Sequence, residues 1–200
     1  MRYLIFLLFP LLLYSTEIWM EFPSEGNKGE PLGIRIYFGD YGVRKRPFFG
    51  KLILYITDPL RETYKIPLRR ERNSYTTFII PDVPGLYRLK CVGFYFGDKF
   101  VTSGTFFVKS FLHRDRNLEE DTEVDKDVIG VTEVEDGYIF SFPECCPGGS
   151  WIVKDEKGRE VLRKEGVKEI ELKKMEGSYL VIYTRRNWIF SYLIKGGGGL

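Results

Sequence analysis

The chain contains a single histidine, His113, and this count limits the metal and acid–base chemistry open to it. A three-histidine zinc site or a paired-histidine copper site cannot be built within one chain, and a serine or cysteine hydrolase would have to use this one base. His113 stands beside a charged segment where a strand is expected to end. We therefore interpret it as a solvated side chain.

Two adjacent cysteines, Cys145 and Cys146, lie in the most unusual short motif of the chain, Glu-Cys-Cys-Pro-Gly-Gly. Neighbouring thiolates could bind a soft metal or take part in redox chemistry. The sequence offers no second Cys-Cys or Cys-x-x-Cys pair that would complete a set of four ligands. The pair is a weak metal-site candidate, and a turn is the preferred interpretation.

A second weak candidate for metal binding is an alternating series of acidic residues, Asp121, Glu123, Asp125 and Asp127. Their spacing resembles that of a calcium loop, in which several oxygen ligands surround a hard cation. Such a loop needs a turn glycine after its third ligand, and Lys126 stands at that position. A solvated acidic linker is the preferred interpretation, and the sequence predicts no cofactor.

Most enzyme motifs are absent from the sequence. It contains no Gly-x-Ser-x-Gly nucleophile elbow, no phosphate-binding glycine loop and no dinucleotide fingerprint. A carboxylate pair for glycoside hydrolysis stays open as an alternative, because folding and not sequence spacing sets the separation of the two groups. The preferred prediction is that the protein is not an enzyme.

The N-terminal segment has the pattern of a secretory signal peptide. Arg2 precedes an apolar run from Tyr3 to Tyr14, and Ser15 and Thr16 are small enough for a cleavage site. As a helix, about 12 apolar residues reach only about 18 Å, against about 30 Å for a bilayer core. We predict a cleaved signal peptide over residues 1–16, no stable transmembrane anchor afterwards, and a periplasmic or secreted location.

The elements that would position any site are β-strands, because apolar residues alternate instead of recurring at helical spacing. Alternation and dense turn residues mark strands in both halves of the chain, including segments 33–38, 51–57, 86–92, 104–109, 138–142, 178–183 and 188–194. Asp155 to Gly158 predicts a hairpin turn. Segment 160–175 could form a helix, but Gly166 interrupts it, and strands are the preferred interpretation.

The alternation stops over residues 113–127, where a charged run has almost nothing to bury. This predicts a linker between a β-sandwich module over residues 17–112 and a smaller one over residues 128–195. Residues 196–200 are a glycine-rich tail without side chains for packing, apart from a terminal leucine.

A short motif occurs once in each predicted module. Gly85 precedes Tyr87 by two residues, and Gly177 precedes Tyr179 in the same way. In immunoglobulin-like sandwiches a tyrosine at this place bonds through its hydroxyl to the backbone of the preceding turn. The repeat predicts an all-β fold of two immunoglobulin-like β-sandwich modules.

The charges of the chain nearly cancel, with a formal net charge of +2. A nucleic-acid-binding protein would be expected to show a concentrated basic face, whereas here Lys and Arg are interleaved with Asp and Glu along most of the sequence. We therefore predict no nucleic-acid partner, and the net charge identifies no other partner.

The start of the predicted mature chain, Thr16 to Pro23 followed by Gly29 to Asp40, resembles a family of bacterial periplasmic proteins described as substrate-specific components of nickel uptake. Pro84-Gly-Leu-Tyr87 also matches the sandwich of that family, and the resemblance covers about residues 16–109. It implies a periplasmic location and accessory handling of a metal ion. Thr16 stands where the family places a histidine, so the residue that would carry a nickel role is missing.

Together these observations predict an exported, non-catalytic binding or interaction module of a cell envelope. Its expected partner is an envelope protein or polymer, recognised by exposed strand edges and loops. The alternative is an accessory metal-ion uptake or binding protein of the nickel type.

Overall fold

The structure, a computed structural model, describes residues 16–95, 97–110, 128–142 and 149–195. Within these ranges every regular element is a β-strand, and no helix has the length and apolar character needed to cross a membrane. The predicted signal peptide up to Ser15, the linker and the glycine-rich tail lie outside the described residues.

The strands follow one another along the chain as β1 (Glu17–Glu21), β2 (Glu25–Asn27), β3 (Leu32–Asp40), β4 (Arg44–Arg46), β5 (Lys51–Thr57), β6 (Thr63–Ile66), β7 (Arg69–Arg70), β8 (Tyr75–Ile79), β9 (Gly85–Tyr95), β10 (Asp98–Lys109), β11 (Gly130–Val134), β12 (Gly137–Ser141), β13 (Ser150–Lys154), β14 (Glu160–Glu165), β15 (Glu169–Lys173), β16 (Ser178–Arg185) and β17 (Trp188–Lys195).

These strands form three sheets. A five-stranded sheet has the order β1-β3-β8-β7, with β4 also paired to β3. A nine-stranded sheet has the order β14-β13-β16-β17-β10-β9-β5-β6, with β2 also paired to β10. A three-stranded sheet has the order β11-β12-β15.

Two hydrophobic cores lie between these sheets and define two sandwiches. In the first module, the five-stranded sheet packs on β5, β9 and β10, and residues such as Ile34, Leu54 and Phe106 are almost completely buried between them. In the second, the three-stranded sheet packs on β13, β16 and β17 around Phe140 and Trp151. Sheets packed face to face bury alternate side chains of each strand. The prediction of an all-β fold with two immunoglobulin-like β-sandwich modules is confirmed.

The two sandwiches share the nine-stranded sheet. Strand β10 of the first module pairs in parallel with β17 of the second, from Lys99 opposite Trp188 to Ser103 opposite Tyr192. Every other pairing within this sheet, apart from that of β2 with β10, is antiparallel. Backbone hydrogen bonds therefore run without interruption from one module into the other.

A third apolar cluster joins the five-stranded sheet to the second module. Trp19, Tyr37 and Tyr41 project from the side of the five-stranded sheet opposite the first core and pack with Ile152, Leu180 and Ile182. Strand β1 is consequently buried on both sides, because Ile18 and Met20 belong to the first core. This arrangement makes β1 a structural component of both modules.

Polar contacts and close backbone packing accompany this cluster. Lys154 Nζ lies 2.6 Å from Glu17 Oε1, and the Tyr41 backbone N–H donates to Glu17 Oε2 at 2.9 Å. The turn containing Gly42 meets the hairpin turn containing Gly158 so closely that a methyl group on Gly42 would overlap the opposing backbone. The modules are therefore joined by a sheet, an apolar cluster, a buried ion pair and a pair of turns.

Both tyrosines of the repeated motif bond to the preceding turn, as the sequence predicts. The Val83 backbone N–H donates to Tyr87 Oη at 3.2 Å, and Tyr179 Oη donates to the carbonyl oxygen of Glu176 at 2.9 Å. Burial is the main reason that the pKa of Tyr87 is raised above its ordinary value. These contacts confirm the tyrosine corner in each module.

The alternative of a helix over residues 160–175 is wrong. The segment forms β14 and β15, and Gly166 between them has a φ of 68° that suits a turn.

The hairpin predicted at Asp155 to Gly158 is confirmed, since Asp155 Oδ1 accepts hydrogen bonds from the backbone N–H groups of Lys157 and Arg159. Arg159 holds the pKa of the Asp155 carboxyl below its usual range, against the opposing effect of desolvation.

Cys91 lies in the first core and is a free thiol, as alternation along β9 predicts. Desolvation by burial raises the pKa of the Cys91 thiol far above its ordinary value. We expect a thiol-specific alkylating reagent to modify Cys91 very slowly in the folded chain, even at pH 9, because both access and thiolate formation are suppressed. Mass spectrometry of the alkylated peptide would measure this. Rapid modification without denaturant would contradict the burial of this side chain.

Candidate functional site

The metal-site candidates from the sequence lie outside the described residues. They are Cys145, Cys146, Asp121, Glu123, Asp125 and Asp127, and His113 lies there as well. In the part of the chain that the structure describes, no group of three or more His, Cys, Asp or Glu side chains could hold a metal ion. Metal binding by the predicted residues therefore stays a prediction.

A shallow hollow beside Arg46, Phe48 and Tyr75 has a volume of about 10 Å³. This is about the space needed for one water molecule, whereas pockets for small organic ligands measure roughly 300–1,000 Å³. The hollow is too small for a substrate or an organic cofactor. An extended surface is the better candidate for a functional site.

The candidate surface is the outward side of β5, β6, β9 and β10, which we call the basic face. On these strands Leu54, Ile56, Leu89 and Cys91 point into the first core, so the residues between them point outward. The outward cations are Lys51, Lys65, Arg88, Lys90, Lys99 and Lys109, and within these four strands no outward position carries Asp or Glu. Lys109 is paired with Glu25 of β2.

Cross-strand register arranges part of the basic face as two rows of alternating cations and aromatic rings. In the first row, Lys51 on β5 and Lys99 on β10 both stand opposite Phe94 on β9. In the second row, Lys65 on β6 and Lys90 on β9 both stand opposite Tyr55 on β5. Adjacent strands are about 4.8 Å apart, so the two cations of a row originate about 10 Å apart with a ring between them.

The rows lie at the surface of the molecule. Lys51 and Lys65 are exposed and make no ion pair within the described residues, and 46% of Phe94 is exposed. Tyr55 is half-buried. Exposed aromatic rings beside ammonium groups present an apolar surface and a positive charge at the same point.

The β10 side of the basic face continues beneath the second module. Val101 and Ser103 are buried there, and Val101 belongs to the second core. Lys99 Nζ lies 3.6 Å from the ring centroid of Trp188 on β17. This cation–π contact fixes the end of the first row and connects it to the other module.

Hydroxyl groups border the second row. Thr57 and Thr63 are outward residues of β5 and β6, and their Oγ1 atoms are 2.9 Å apart. Thr105 on β10 stands opposite Arg88 in the same line across the sheet. Each hydroxyl can donate one hydrogen bond and accept two, so this border can recognise polar groups of either type.

The outer strand β14 of the nine-stranded sheet is a poorer candidate. It carries exposed charges, and Arg163 binds Glu160 through both Nε and Nη2, at 2.8 and 2.6 Å. Charged side chains on an outer strand discourage the addition of another strand. The structure therefore favours a face of the nine-stranded sheet over its β14 edge as the candidate surface.

The basic face could not be recognised from the sequence, because positively and negatively charged residues are interleaved along the chain. Glu62 and Lys65, or Asp82 and Arg88, are close in sequence, yet only the lysine and the arginine lie on this face. The alternation within β5 and β9 was a usable signal, because it assigns Lys51 and Lys90 to the side opposite the core. The alignment of these strands with β6 and β10 could not be derived from the sequence.

No protein-family model matches the chain, and no curated protein matches it either. Among solved structures, it is similar to a CARDB domain from Pyrococcus furiosus determined in complex with di-metal ions. That similarity has 13% identity, covers 48% of this chain and 89% of that one, and has a TM-score of 0.33. It is also similar to a DUF4785 family protein from Legionella pneumophila subsp. pneumophila str. Philadelphia 1, with 11% identity and a TM-score of 0.35. The match covers 88% of this chain and 55% of that protein, so it spans about half the length of that protein.

Proposed function

We propose that the chain is an exported, non-catalytic binding module of a cell envelope, which holds an envelope protein or polymer on its basic face. The observation that supports this most is the composition of that face: four adjacent strands present cations, aromatic rings and hydroxyl groups outward, without a carboxylate. Surfaces of one charge attract partners of the opposite charge and raise their association rate. Export is supported by the signal-peptide pattern of residues 1–16.

The shared sheet gives this surface a fixed shape. Strand β10 forms one side of the basic face and at the same time pairs with β17 of the second module. A partner would therefore meet a preorganised surface, and little conformational entropy would be lost in ordering it. In this proposal the second module serves as a support for the binding surface.

A pull-down from envelope extract tests this function. The mature chain, beginning at Glu17, is immobilised, and we expect it to enrich an envelope component. Replacing Lys51 and Lys65 by glutamate should abolish the enrichment, because both charges on the basic face are reversed. The matched control replaces Lys168 and Lys173, two exposed lysines of the second module, and should leave the enrichment unchanged. Equal recovery with all three proteins would contradict the assigned surface.

Expression of the full chain from Met1 tests export and the alternative function. The chain recovered from the envelope fraction should begin between Ser15 and Glu17 by intact mass, and a retained Met1 would contradict export with cleavage. Elemental analysis after dialysis distinguishes the proposed binding of an envelope partner from the alternative function, metal-ion uptake or binding. Stoichiometric nickel, copper or zinc would favour the alternative, with Cys145 and Cys146 as the first residues to replace.

A further inference from the structure

We propose that the basic face binds a linear acidic polysaccharide, and that its two rows of cation, aromatic ring and cation are successive subsites for the sugar units. This inference rests on the proposed binding function and adds the class of ligand and the residues that hold it. The first row consists of Lys51, Phe94 and Lys99, and the second of Lys65, Tyr55 and Lys90.

The arrangement within a row fits a charged sugar. One face of a pyranose ring consists mainly of C–H groups and packs on an aromatic ring, whereas its charged substituents project from the edge of the sugar. In the first row the ring of Phe94 lies between two lysines whose backbones are about 10 Å apart. A sugar stacked on Phe94 would therefore present its carboxylate or sulfate group to Lys51, while the Lys99 ammonium, which lies over the Trp188 ring, adds positive charge on the other side.

The relation between the rows fits a chain of sugars. Phe94 and Lys90 are four residues apart on β9, which corresponds to about 13 Å along the strand. Ile53 and Val92 occupy the line between the two rows and carry no charge. One uncharged line therefore separates the two charged rows, as would suit a polymer whose charges recur at intervals.

The sign of the charge is specific to this surface. The outward side of the three-stranded sheet carries charges of both signs, with Glu169 and Glu171 beside Lys173 on β15. An anionic polymer would therefore be attracted to the basic face, where cations are present without an interleaved carboxylate on the same strands.

Two features favour a polysaccharide over single-stranded nucleic acid. Arginine is the preferred residue for bidentate phosphate recognition, but all four cations of the two rows are lysines. The hydroxyl groups of Thr57 and Thr63 add donors and acceptors for sugar hydroxyls.

Affinity electrophoresis of the mature chain tests the inference, with alginate, a linear polyuronate, as the probe. We expect alginate in the gel to retard the protein and neutral dextran to leave its mobility unchanged. The retardation should weaken steeply with salt, because binding releases counterions from the polyanion. Reversing Lys51 and Lys65 to glutamate should lower the affinity at least about tenfold and reduce the salt dependence.

The Phe94→Ala variant tests the contribution of ring stacking to the affinity separately from that of charge. We expect this variant to lose about tenfold in affinity for alginate with an unchanged salt dependence, because ring stacking is lost and every charge remains. Phe78→Ala is the matched control, since 68% of Phe78 is exposed and it lies on the five-stranded sheet away from the basic face. Both side chains are exposed, so neither substitution should disturb a core.

Three results would overturn the inference: no retardation by alginate at low salt, equal losses in the Phe94 and Phe78 variants, or tighter binding of poly(dT) than of alginate. The last would assign the face to nucleic acid. If alginate fails while the envelope pull-down still depends on Lys51 and Lys65, the ligand class is wrong and the proposed function remains. If the pull-down also fails, the proposed function is wrong as well.

Discussion

Replacing Glu17 by alanine is expected to lower the free energy of unfolding by about 3–5 kcal/mol, because it leaves a mostly buried ammonium group without its counter-charge. The Glu17 side chain is fully buried and the Lys154 side chain is only 12% exposed, with 2.6 Å between Nζ and Oε1. The same carboxylate accepts the Tyr41 backbone N–H. Urea denaturation, followed by tryptophan fluorescence, would measure the loss.

The control for this variant is Glu21→Gln on the same strand, which removes the charge but keeps an oxygen to accept the Trp19 indole N–H, 3.3 Å from Glu21 Oε1. Glu21 lies 3.9 Å from Lys45, and both side chains are more than a third exposed. Exposed ion pairs contribute about 0–1 kcal/mol, so this substitution should have little effect. Replacing Glu17 and Lys154 together by methionine should cost less than Glu17→Ala alone, because no unpaired charge then remains buried. Equal losses in the Glu17 and Glu21 variants would mean that the modules do not meet at this ion pair.

The strands and turns of each module could be predicted because their signals are local. Alternation marks β5 and β9 within seven to eleven residues, and the two tyrosine corners depend on glycine and tyrosine two residues apart. Each of these features is determined by neighbours in sequence, and the structure confirms them.

The union of the two modules could not be predicted because its partners are distant in sequence. Lys99 and Trp188 stand opposite each other although about 90 residues separate them, and parallel pairing leaves no turn motif between its strands. Strand β1 carries Ile18, Trp19 and Met20 in succession, all buried. Such a run predicts burial on both sides but does not identify what covers the second side.

The candidate site also depends partly on local signals and partly on pairings between strands that are distant in sequence. Alternation along β5 and β9 predicts that Lys51 and Lys90 point outward. The contribution of these two strands to the basic face could therefore be predicted from the sequence. The rows also require that Lys51 and Lys99 both align with Phe94. A shift of one residue in either pairing would send the partner side chain to the opposite face, and the sequence does not fix that alignment.

Replacing Gly42 by alanine is expected to destabilise the chain much more than the same substitution at Gly166. Both residues have a left-handed backbone, with φ of 73° and 68°, so each alanine would introduce backbone strain of about 1–3 kcal/mol. At Gly166 the added methyl group would meet nothing within 4 Å. At Gly42 it would lie 2.6 Å from the Glu156 carbonyl oxygen and closer still to Gly158 N.

The overlap at Gly42 involves backbone atoms of the other module, which cannot rotate away as a long side chain would. Asp155 holds that hairpin turn by accepting the backbone N–H groups of Lys157 and Arg159. We therefore expect Gly42→Ala to cost about 1–3 kcal/mol beyond its backbone strain. Parallel urea denaturation of the two variants isolates this difference. Because the overlap is removed only by separating the turns, Gly42→Ala should also make the loss caused by Glu17→Ala smaller than in the unaltered chain. Equal destabilisation by Gly42→Ala and Gly166→Ala would show that the two turns do not touch in solution.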